Sequence, residues 1–240
     1  MPHHSKKIID IAKKHTPSIQ IESKNNWKRH HVANLLEGSN NVGIELGVAE
    51  GIFSKRMVDS GKFKRFYGVD AYSDIHDTKE YIKALKHIDF QNPKFSLLRM
   101  NFNSALSLFE DNFFDLVYVD GYAHTGEEGG STLIDWFKKI KPGGILSGDD
   151  YHLDFPLVIW AVNDLAKQLG EKVFLTGTEQ SHYCTYPTWF IKKNSINIEP
   201  KINDQLFEIG MKEKERIHIL RSNNLNFIKK LFYFLIYKFK

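Results

Sequence analysis

The sequence predicts an α/β domain in which a doubly wound, mostly parallel sheet of seven strands ends in an antiparallel strand, with helices before and after it. Short runs rich in Val, Ile, Phe and Tyr alternate with helical patterns, which is typical of repeated βα units. A turn with two glycines follows the first run, and acidic residues follow the second, fourth and fifth, as is common at the carboxyl ends of parallel strands. The 240 residues, 42% of them hydrophobic, suffice to bury one core.

The apolar runs and the helical patterns between them give the expected order of elements. We expect strands at 42–46, 65–69, 95–99, 114–119, 144–147, 172–176 and 188–191. We expect helices at 52–60, 78–88, 104–109, 131–140 and about 158–169, with Gly170 as a stop. The last two strands are so close in sequence that an antiparallel pair at one end of the sheet is favoured.

Two flanking segments extend this core. Residues 1–40 are predicted as an N-terminal helical extension with amphipathic stretches at 5–14 and 24–37, residues 41–195 as the sheet domain, and residues 196–240 as a helical tail. The tail ends in NFIKKLFYFLIYKFK, in which lysines flank an apolar run. This pattern is compatible with a weak contact with an anionic membrane surface, but a helix packed on the domain or on a second subunit explains it better.

Composition and charge exclude several classes of protein. The formal net charge of +4 is small and spread along the chain, so no nucleic-acid partner is expected. Cys184 is the only cysteine, which excludes a disulfide framework and fits a reducing compartment. Because the chain has no apolar run long enough for a signal peptide or a membrane span, we expect it in the cytoplasm.

The turn after the first strand is the first candidate site. Glu45, Gly47 and Gly51 form an E-x-G-x-x-x-G pattern between a strand and a helix. Glycine at these positions allows a tight turn and the close approach of a helix or ligand. The pattern is not the G-x-G-x-x-G that places a pyrophosphate on a helix N-terminus, which disfavours a dinucleotide-dependent dehydrogenase. A cofactor with an amino-acid end suits it better, since Glu45 can accept a hydrogen bond from an ammonium group.

The second strand ends in Gly68-Val69-Asp70, followed by Ala71. An acidic residue at this position commonly binds ribose hydroxyls in open α/β sheets. Asp70 and Ala71 are therefore candidate cofactor residues. The alternative is a helix cap near the turn with a solvated Asp70.

Four segments together resemble a known family: ELGVAEGIFS, YGVDAY, LVYVDGY and KPGGILSGDDY are similar to successive motifs of class I S-adenosylmethionine-dependent methyltransferases. The resemblance covers about residues 42–151, and it is strongest to small-molecule and sugar O-methyltransferases of the macrocin and novobiocin tailoring type. It implies a Rossmann-like fold, S-adenosylmethionine as cofactor, and often a homo-oligomer. It also implies adenine contacts from Asn101, Phe102 and Asn103, and a further cofactor contact from Asp120.

The resemblance also implies a divalent metal held by Asp120, Asp149 and Asp150, at the ends of the fourth and fifth strands. Oxygen ligands suit Mg²⁺, which would lower the pKa of an acceptor hydroxyl. Asp149 and Asp150 are alternatively caps of the next helix.

The loop after the fourth strand departs from the family pattern. It reads Asp120-Gly121-Tyr122-Ala123-His124, whereas relatives often have D-G-x-H or D-G-D-x-Y. The identity of the general base therefore stays open among Asp120, His124 and His152, all of which follow predicted strand ends.

Three functions remain open. The leading one is metal-assisted O-methylation of a hydroxyl on a sugar, nucleotide-sugar or specialised metabolite, with the aromatic segment 180–189 bordering the acceptor pocket. The second is metal-independent methylation of a nitrogen, carboxylate or phosphate-type oxygen. The third is a non-catalytic binding protein of the same fold.

Overall fold

The computed structural model describes residues 4–73, 76–179, 183–194 and 198–221. It confirms the α/β Rossmann-like fold with a mostly parallel sheet, although the described residues form eight strands instead of seven. The strands are β1 (Ile21–Lys24), β2 (Asn41–Leu46), β3 (Phe63–Asp70), β4 (Phe95–Arg99), β5 (Phe114–Val119), β6 (Ile140–Gly148), β7 (Val173–Thr176) and β8 (Trp189–Lys192).

The sheet has the strand order β1-β7-β8-β6-β5-β2-β3-β4. Strand β8 runs antiparallel to both β6 and β7, which confirms the predicted antiparallel last strand. The other strand pairs are parallel. As a result, β3, β2, β5 and β6 lie side by side with their carboxyl ends at one edge of the sheet.

Helices cover both faces of the sheet. They are α1 (Lys6–His15), α2 (Ile52–Asp59), α3 (Thr78–Ile88), α4 (Phe102–Leu106), α5 (Gly126–Gly129), α6 (Ser131–Lys138), α7 (Pro156–Leu169) and α8 (Asp204–Arg221), with 3-10 helices at Arg29–Leu35 and Ala123–Thr125. One core cluster buries Val32, Phe53 and Ala84 beneath the first 3-10 helix, α2 and α3. The other includes Trp136 of α6 and Trp160 of α7.

The helix boundaries have local causes. Asp77 caps α3 by accepting hydrogen bonds from the backbone N–H groups of Lys79 (2.7 Å) and Glu80 (3.2 Å). Helix α7 has Pro156 in its first turn, where a missing N–H costs little, and it ends at Gly170 in the left-handed conformation. The predicted glycine stop is therefore confirmed.

The N-terminal segment differs from its prediction as purely helical. Strand β1 lies within it and pairs in parallel with β7, for example Ile21 with Val173. The amphipathic stretch predicted at 24–37 is a turn followed by the 3-10 helix. Strand β1 has only four residues, and three of them are exposed, so the sequence carries little apolar signal for this edge strand.

The C-terminal helix α8 packs against the segment that follows β5. A Cβ atom on Gly210 would lie 2.6 Å from the Cα of Gly129 and from the carbonyl oxygen of Thr125. This close approach requires glycine on the helix. In the described part of the chain, no helix is long and apolar enough to cross a membrane. The apolar tail, residues 222–240, lies outside the described residues.

Candidate active site

The turn between β2 and α2 has a shape that only glycine permits at two positions. Gly47 has φ +95°, and a Cβ atom there would lie 1.9 Å from the carbonyl oxygen of Asp120. Gly51 has φ +79°, and its Cβ would lie 2.6 Å from the Ile88 side chain. Both residues thus have left-handed backbone conformations and no room for a side chain. The turn packs directly against the chain that leaves β5.

Asp70 holds this turn in place. Its Oδ2 atom accepts hydrogen bonds from the backbone N–H groups of Val48 (2.9 Å) and Ala49 (3.0 Å), and its Oδ1 atom accepts one from Tyr72 (2.9 Å). The Tyr72 hydroxyl donates to the Ala49 carbonyl oxygen at 2.8 Å, which ties the two strand ends together. A carboxylate oxygen can accept two hydrogen bonds, and Asp70 Oδ1 accepts only the one from Tyr72, so it keeps acceptor capacity for a ribose hydroxyl. The ribose role of Asp70 and Ala71 stays a prediction.

Glu45 lies beneath the same turn and is 2% exposed. The Ser54 hydroxyl donates a hydrogen bond to its carboxylate. Burial raises the pKa of Glu45 well above its usual value, while the bond from Ser54 and the charge of Arg29 oppose the rise. A positively charged ligand group near Glu45 would favour its ionised form, as the predicted ammonium contact requires.

The residues predicted to contact adenine line one pocket. Asn101 caps α4 by accepting a hydrogen bond from the Ser104 N–H at 2.7 Å. Phe102 is buried beneath Gly121 and packs against Tyr122, with ring centroids 4.6 Å apart. The pocket has a volume of 370 Å³. Besides the three predicted residues, it is lined by one residue of α4, two residues that follow β5 and one lysine of α8: Ser104, Tyr122, Glu128 and Lys214.

Two of the predicted metal ligands are ion-paired with Arg29. Its Nη2 atom lies 2.5 Å from Asp120 Oδ2, and its Nη1 atom lies 3.2 Å from Asp149 Oδ2. The guanidinium also donates to the Tyr118 hydroxyl (3.1 Å) and to the Tyr183 carbonyl oxygen (3.3 Å). Sequence reasoning missed Arg29, because nothing in the pattern of the N-terminal segment indicates which of its basic residues turns inward.

This arrangement does not fit the predicted Mg²⁺ site. Asp120 and Asp149 do lie together at the sheet edge, as predicted, but a guanidinium already occupies the space between them. Among the residues that the structure describes, no group of three or more His, Cys, Asp or Glu side chains is arranged to hold a metal ion. The carboxylates were assigned from the family resemblance and from their strand positions, neither of which reveals a cation that comes from another part of the chain.

The remaining acidic residues at this edge carry raised pKa values. Burial raises the pKa of Asp149 and of Asp150, and their negative neighbours add to the rise, while Arg29 opposes it. Glu127 is 1% exposed, and burial raises its pKa to about 8. Sequence reasoning did not single out Glu127, whose φ of +52° turns its side chain inward, where it accepts a hydrogen bond from the Tyr122 N–H at 3.1 Å.

The two candidate histidines have different surroundings. The His124 ring contacts Phe155 (5.4 Å between centroids) and His4 (5.7 Å). His152 is 44% exposed and lies 3.4 Å from Asp154 Oδ2. The general-base role of either histidine stays a prediction.

The described part of the segment predicted to border the acceptor pocket contacts residues of the acceptor edge, and its role at a pocket stays a prediction. Tyr183 packs over Arg29 and Arg56. The buried Trp189 donates its indole N–H to the carbonyl oxygen of Asp149 at 3.2 Å, while Tyr186 donates to Asp154 at 2.8 Å. Residues 180–182, and with them His182, lie outside the described residues.

Comparisons with known proteins agree with this geometry. Residues 42–151 match the family model of a methyltransferase domain. The structure is similar to spermidine synthase from Thermotoga maritima, with a TM-score of 0.54, 16% identity, and coverage of 86% of this chain and 74% of that one. It is also similar to a "putative methyltransferase" from Streptococcus mutans in complex with SAH, with a TM-score of 0.51, 16% identity, and coverage of 68% of this chain and 94% of that one.

A third similar structure is a "putative rRNA-methylase" from Clostridium thermocellum, with a TM-score of 0.52, 13% identity, and coverage of 69% of this chain and 93% of that one. No curated protein matches the chain in sequence. At these identities the structural likeness shows the Rossmann-like fold alone, and the family model adds that residues 42–151 resemble a methyltransferase domain.

Proposed function

We propose that this chain uses S-adenosylmethionine to methylate a hydroxyl group of a small molecule at the carboxyl ends of β5 and β6. One observation carries the proposal: the glycine turn and Asp120 are in contact, since a Cβ on Gly47 would lie 1.9 Å from the Asp120 carbonyl oxygen. The turn that would hold the cofactor therefore lies beside the first acidic residue of the acceptor edge. Methyl transfer is an in-line displacement, so this proximity is the main requirement.

The candidate cofactor residues would each bind a different part of S-adenosylmethionine. Asp70 would accept hydrogen bonds from the ribose hydroxyls, and Glu45 would accept from the ammonium group. The pocket beside Phe102 and Tyr122 would take the adenine, whose flat faces suit aromatic contacts. When bound, S-adenosylmethionine supplies an electrophilic methyl group on a sulfonium sulfur.

Carboxylates at the acceptor edge would take up the proton of the acceptor. As the new C–O bond forms and the C–S bond breaks, the hydroxyl proton passes to a carboxylate, and S-adenosylhomocysteine is the second product. Asp150 suits this task by its position, because Arg29 is paired with Asp120 and Asp149, and its raised pKa means that it accepts the proton at alkaline pH, where it is ionised. Sugars, nucleotide-sugars and hydroxylated specialised metabolites are the proposed acceptors.

A nitrogen acceptor is the second candidate. Asp120 and Asp149 together carry one negative charge more than Arg29, the cation that pairs with both of them. An excess of negative charge in a cleft attracts positively charged substrates. Screening hydroxylated sugars and amines for release of S-adenosylhomocysteine, with analysis of the methylated product, distinguishes the two candidates.

Calorimetric titration with S-adenosylhomocysteine tests the proposal, with Asp70→Asn and Asp115→Asn as matched variants. Asp115 also accepts a backbone hydrogen bond, from Val42 at 2.7 Å, but at the opposite end of the sheet. We expect binding by the unchanged protein, a loss of about 100-fold in Asp70→Asn because a buried acceptor is replaced, and no loss in Asp115→Asn. Absence of binding by the unchanged protein would refute the proposal.

A further inference from the structure

We infer that Arg29 is a built-in cation that takes the place of a divalent metal at the ends of β5 and β6, so that the acceptor site works without one. The guanidinium bridges Asp120 Oδ2 (2.5 Å) and Asp149 Oδ2 (3.2 Å). These are two of the three carboxylates that were predicted to hold a metal. The role of these carboxylates in methyl transfer rests on the proposed function. The conclusion that Arg29 is their counter-ion is independent of it.

Arg29 is held from several directions, which makes it a fixed part of the site. Beyond the two carboxylates, it donates to the Tyr118 hydroxyl at 3.1 Å and to the Tyr183 carbonyl oxygen at 3.3 Å. The guanidinium carbon lies 5.2 Å from the centroid of the Phe53 ring. A guanidinium has five N–H donors, and three of them are used in hydrogen bonds to Tyr118, Tyr183 and Asp120, while Asp149 adds an ion pair.

The chain around Arg29 also resists its displacement. Its side chain is 10% exposed, and Val32 and Ala33 of the same 3-10 helix are buried. Burial opposes the positive charge, but Tyr118 and the two carboxylates raise the pKa of Arg29 well above its usual value, so it stays charged. If a metal displaced the guanidinium, an unpaired charge would remain in the interior, which costs several kcal/mol.

The carboxylates are in turn fixed by residues other than Arg29. Thr188 donates to Asp149 Oδ1 at 3.0 Å, and its hydroxyl lies 3.1 Å from the Tyr118 hydroxyl. Arg29 thus completes a closed network between the N-terminal segment, β5, β6 and the chain just before β8. Mg²⁺ needs about six oxygen ligands in a near-octahedral arrangement, and it would meet a guanidinium inside that shell. We conclude that Arg29 is a positioning residue for Asp120 and Asp149.

Binding of Mn²⁺, followed by the electron paramagnetic resonance signal of the free ion, tests this inference. The variants are Arg29→Met, which keeps a long side chain but removes the charge, and Arg29→Lys, which keeps the charge. Arg56→Met is the matched control, because exposed Arg56 also packs over Tyr183, with its guanidinium carbon 3.9 Å from the ring centroid.

We expect the unchanged protein, Arg29→Lys and Arg56→Met to bind Mn²⁺ no more tightly than about 1 mM, and Arg29→Met to bind it at least about tenfold more tightly. Adding Asp120→Asn to Arg29→Met should remove this gain. Tight Mn²⁺ binding by the unchanged protein that is lost in Asp120→Asn would overturn the inference, and this measurement does not depend on how Arg29→Met folds.

Failure of a folded Arg29→Met to gain Mn²⁺ binding would also overturn the inference, because the carboxylates would then not form a latent metal site. Circular dichroism establishes whether the variant is folded. Titration of the same samples with S-adenosylhomocysteine distinguishes this failure from failure of the proposed function: the cofactor titration tests the methyltransferase activity, and the Mn²⁺ titration tests the role of Arg29.

Discussion

The cofactor edge and the acceptor edge of the candidate site are built from contacts of very different sequence separation. At the cofactor edge, Asp70 binds the N–H of Val48, 22 residues away, and Ser54 binds Glu45, nine residues away. At the acceptor edge, Arg29 and Asp120 are 91 residues apart, and in the segment after β5, which also lines the proposed adenine pocket, Lys214 and Glu128 are 86 apart. The cofactor edge is thus a local strand-turn-helix unit, whereas the acceptor edge depends on the N-terminal segment and on α8.

The largest expected effect comes from Gly47→Ala, which tests where the two edges meet. The added Cβ would lie 1.9 Å from the Asp120 carbonyl oxygen, at a residue with φ +95°. We expect the free energy of unfolding to fall by about 4 kcal/mol or more, or the protein not to fold. Urea denaturation measures this.

The control for Gly47→Ala is Gly38→Ala. Gly38 also has a left-handed φ of +62°, but no atom lies within 4 Å of the position of its Cβ. Only the conformational penalty applies there, which is about 1 to 2 kcal/mol. Equal losses in the two variants would contradict a direct contact between the two edges.

Gly210→Ala tests how tightly α8 packs against the segment after β5. In an isolated helix, alanine is favoured over glycine by about 1 kcal/mol. Here the new Cβ would lie 2.6 Å from Gly129 Cα and from the Thr125 carbonyl oxygen, so α8 must move away from the acceptor edge. We expect a net loss of about 2 kcal/mol in urea denaturation, with less change in Glu215→Ala, at an exposed site on the same helix. A stabilised Gly210→Ala would show that α8 is only loosely attached.

The range of the contacts explains what the sequence could predict. The glycine turn and Asp70 were found because their spacing reflects one strand, one turn and the next strand. The position of Asp120 and Asp149 at one edge followed from the parallel sheet. Arg29 was missed because its partners lie far along the chain, and a guanidinium contact leaves no periodic pattern. Strand β1 was missed for a similar reason, since it is short, mostly exposed and paired with a distant strand.

Glu127→Gln tests whether the acceptor edge contributes to the pH dependence of stability. The pKa of Glu127 is raised to about 8, so the folded state holds a proton that the unfolded state loses above about pH 4.5. Stability from this group is therefore present at low pH and is lost as the pH rises toward 8. We expect the unchanged protein to lose about 2 to 3 kcal/mol more than Glu127→Gln between pH 6 and 9.

Urea denaturation at both pH values gives the difference, and Glu37→Gln, at an exposed position, is the control. Glu37→Gln should keep the pH dependence of the unchanged protein. If Glu127→Gln keeps it as well, Glu127 is ionised in the folded state and the acceptor edge holds more negative charge than inferred here.

The smallest expected effect is that of Lys214→Met, which removes the ion pair between α8 and Glu128 (2.7 Å). Lys214 is 57% exposed but Glu128 is only 11% exposed, so the substitution leaves a largely buried carboxylate without this partner. We expect the free energy of unfolding, measured by urea denaturation, to fall by about 1 kcal/mol. Lys212→Met is the control, because Lys212 pairs with Glu208 within α8 and both side chains are exposed. That pair should contribute less, because solvent screens the charges of two exposed side chains. Equal effects would mean that the packing of glycines, and not charge, holds α8 on the acceptor edge.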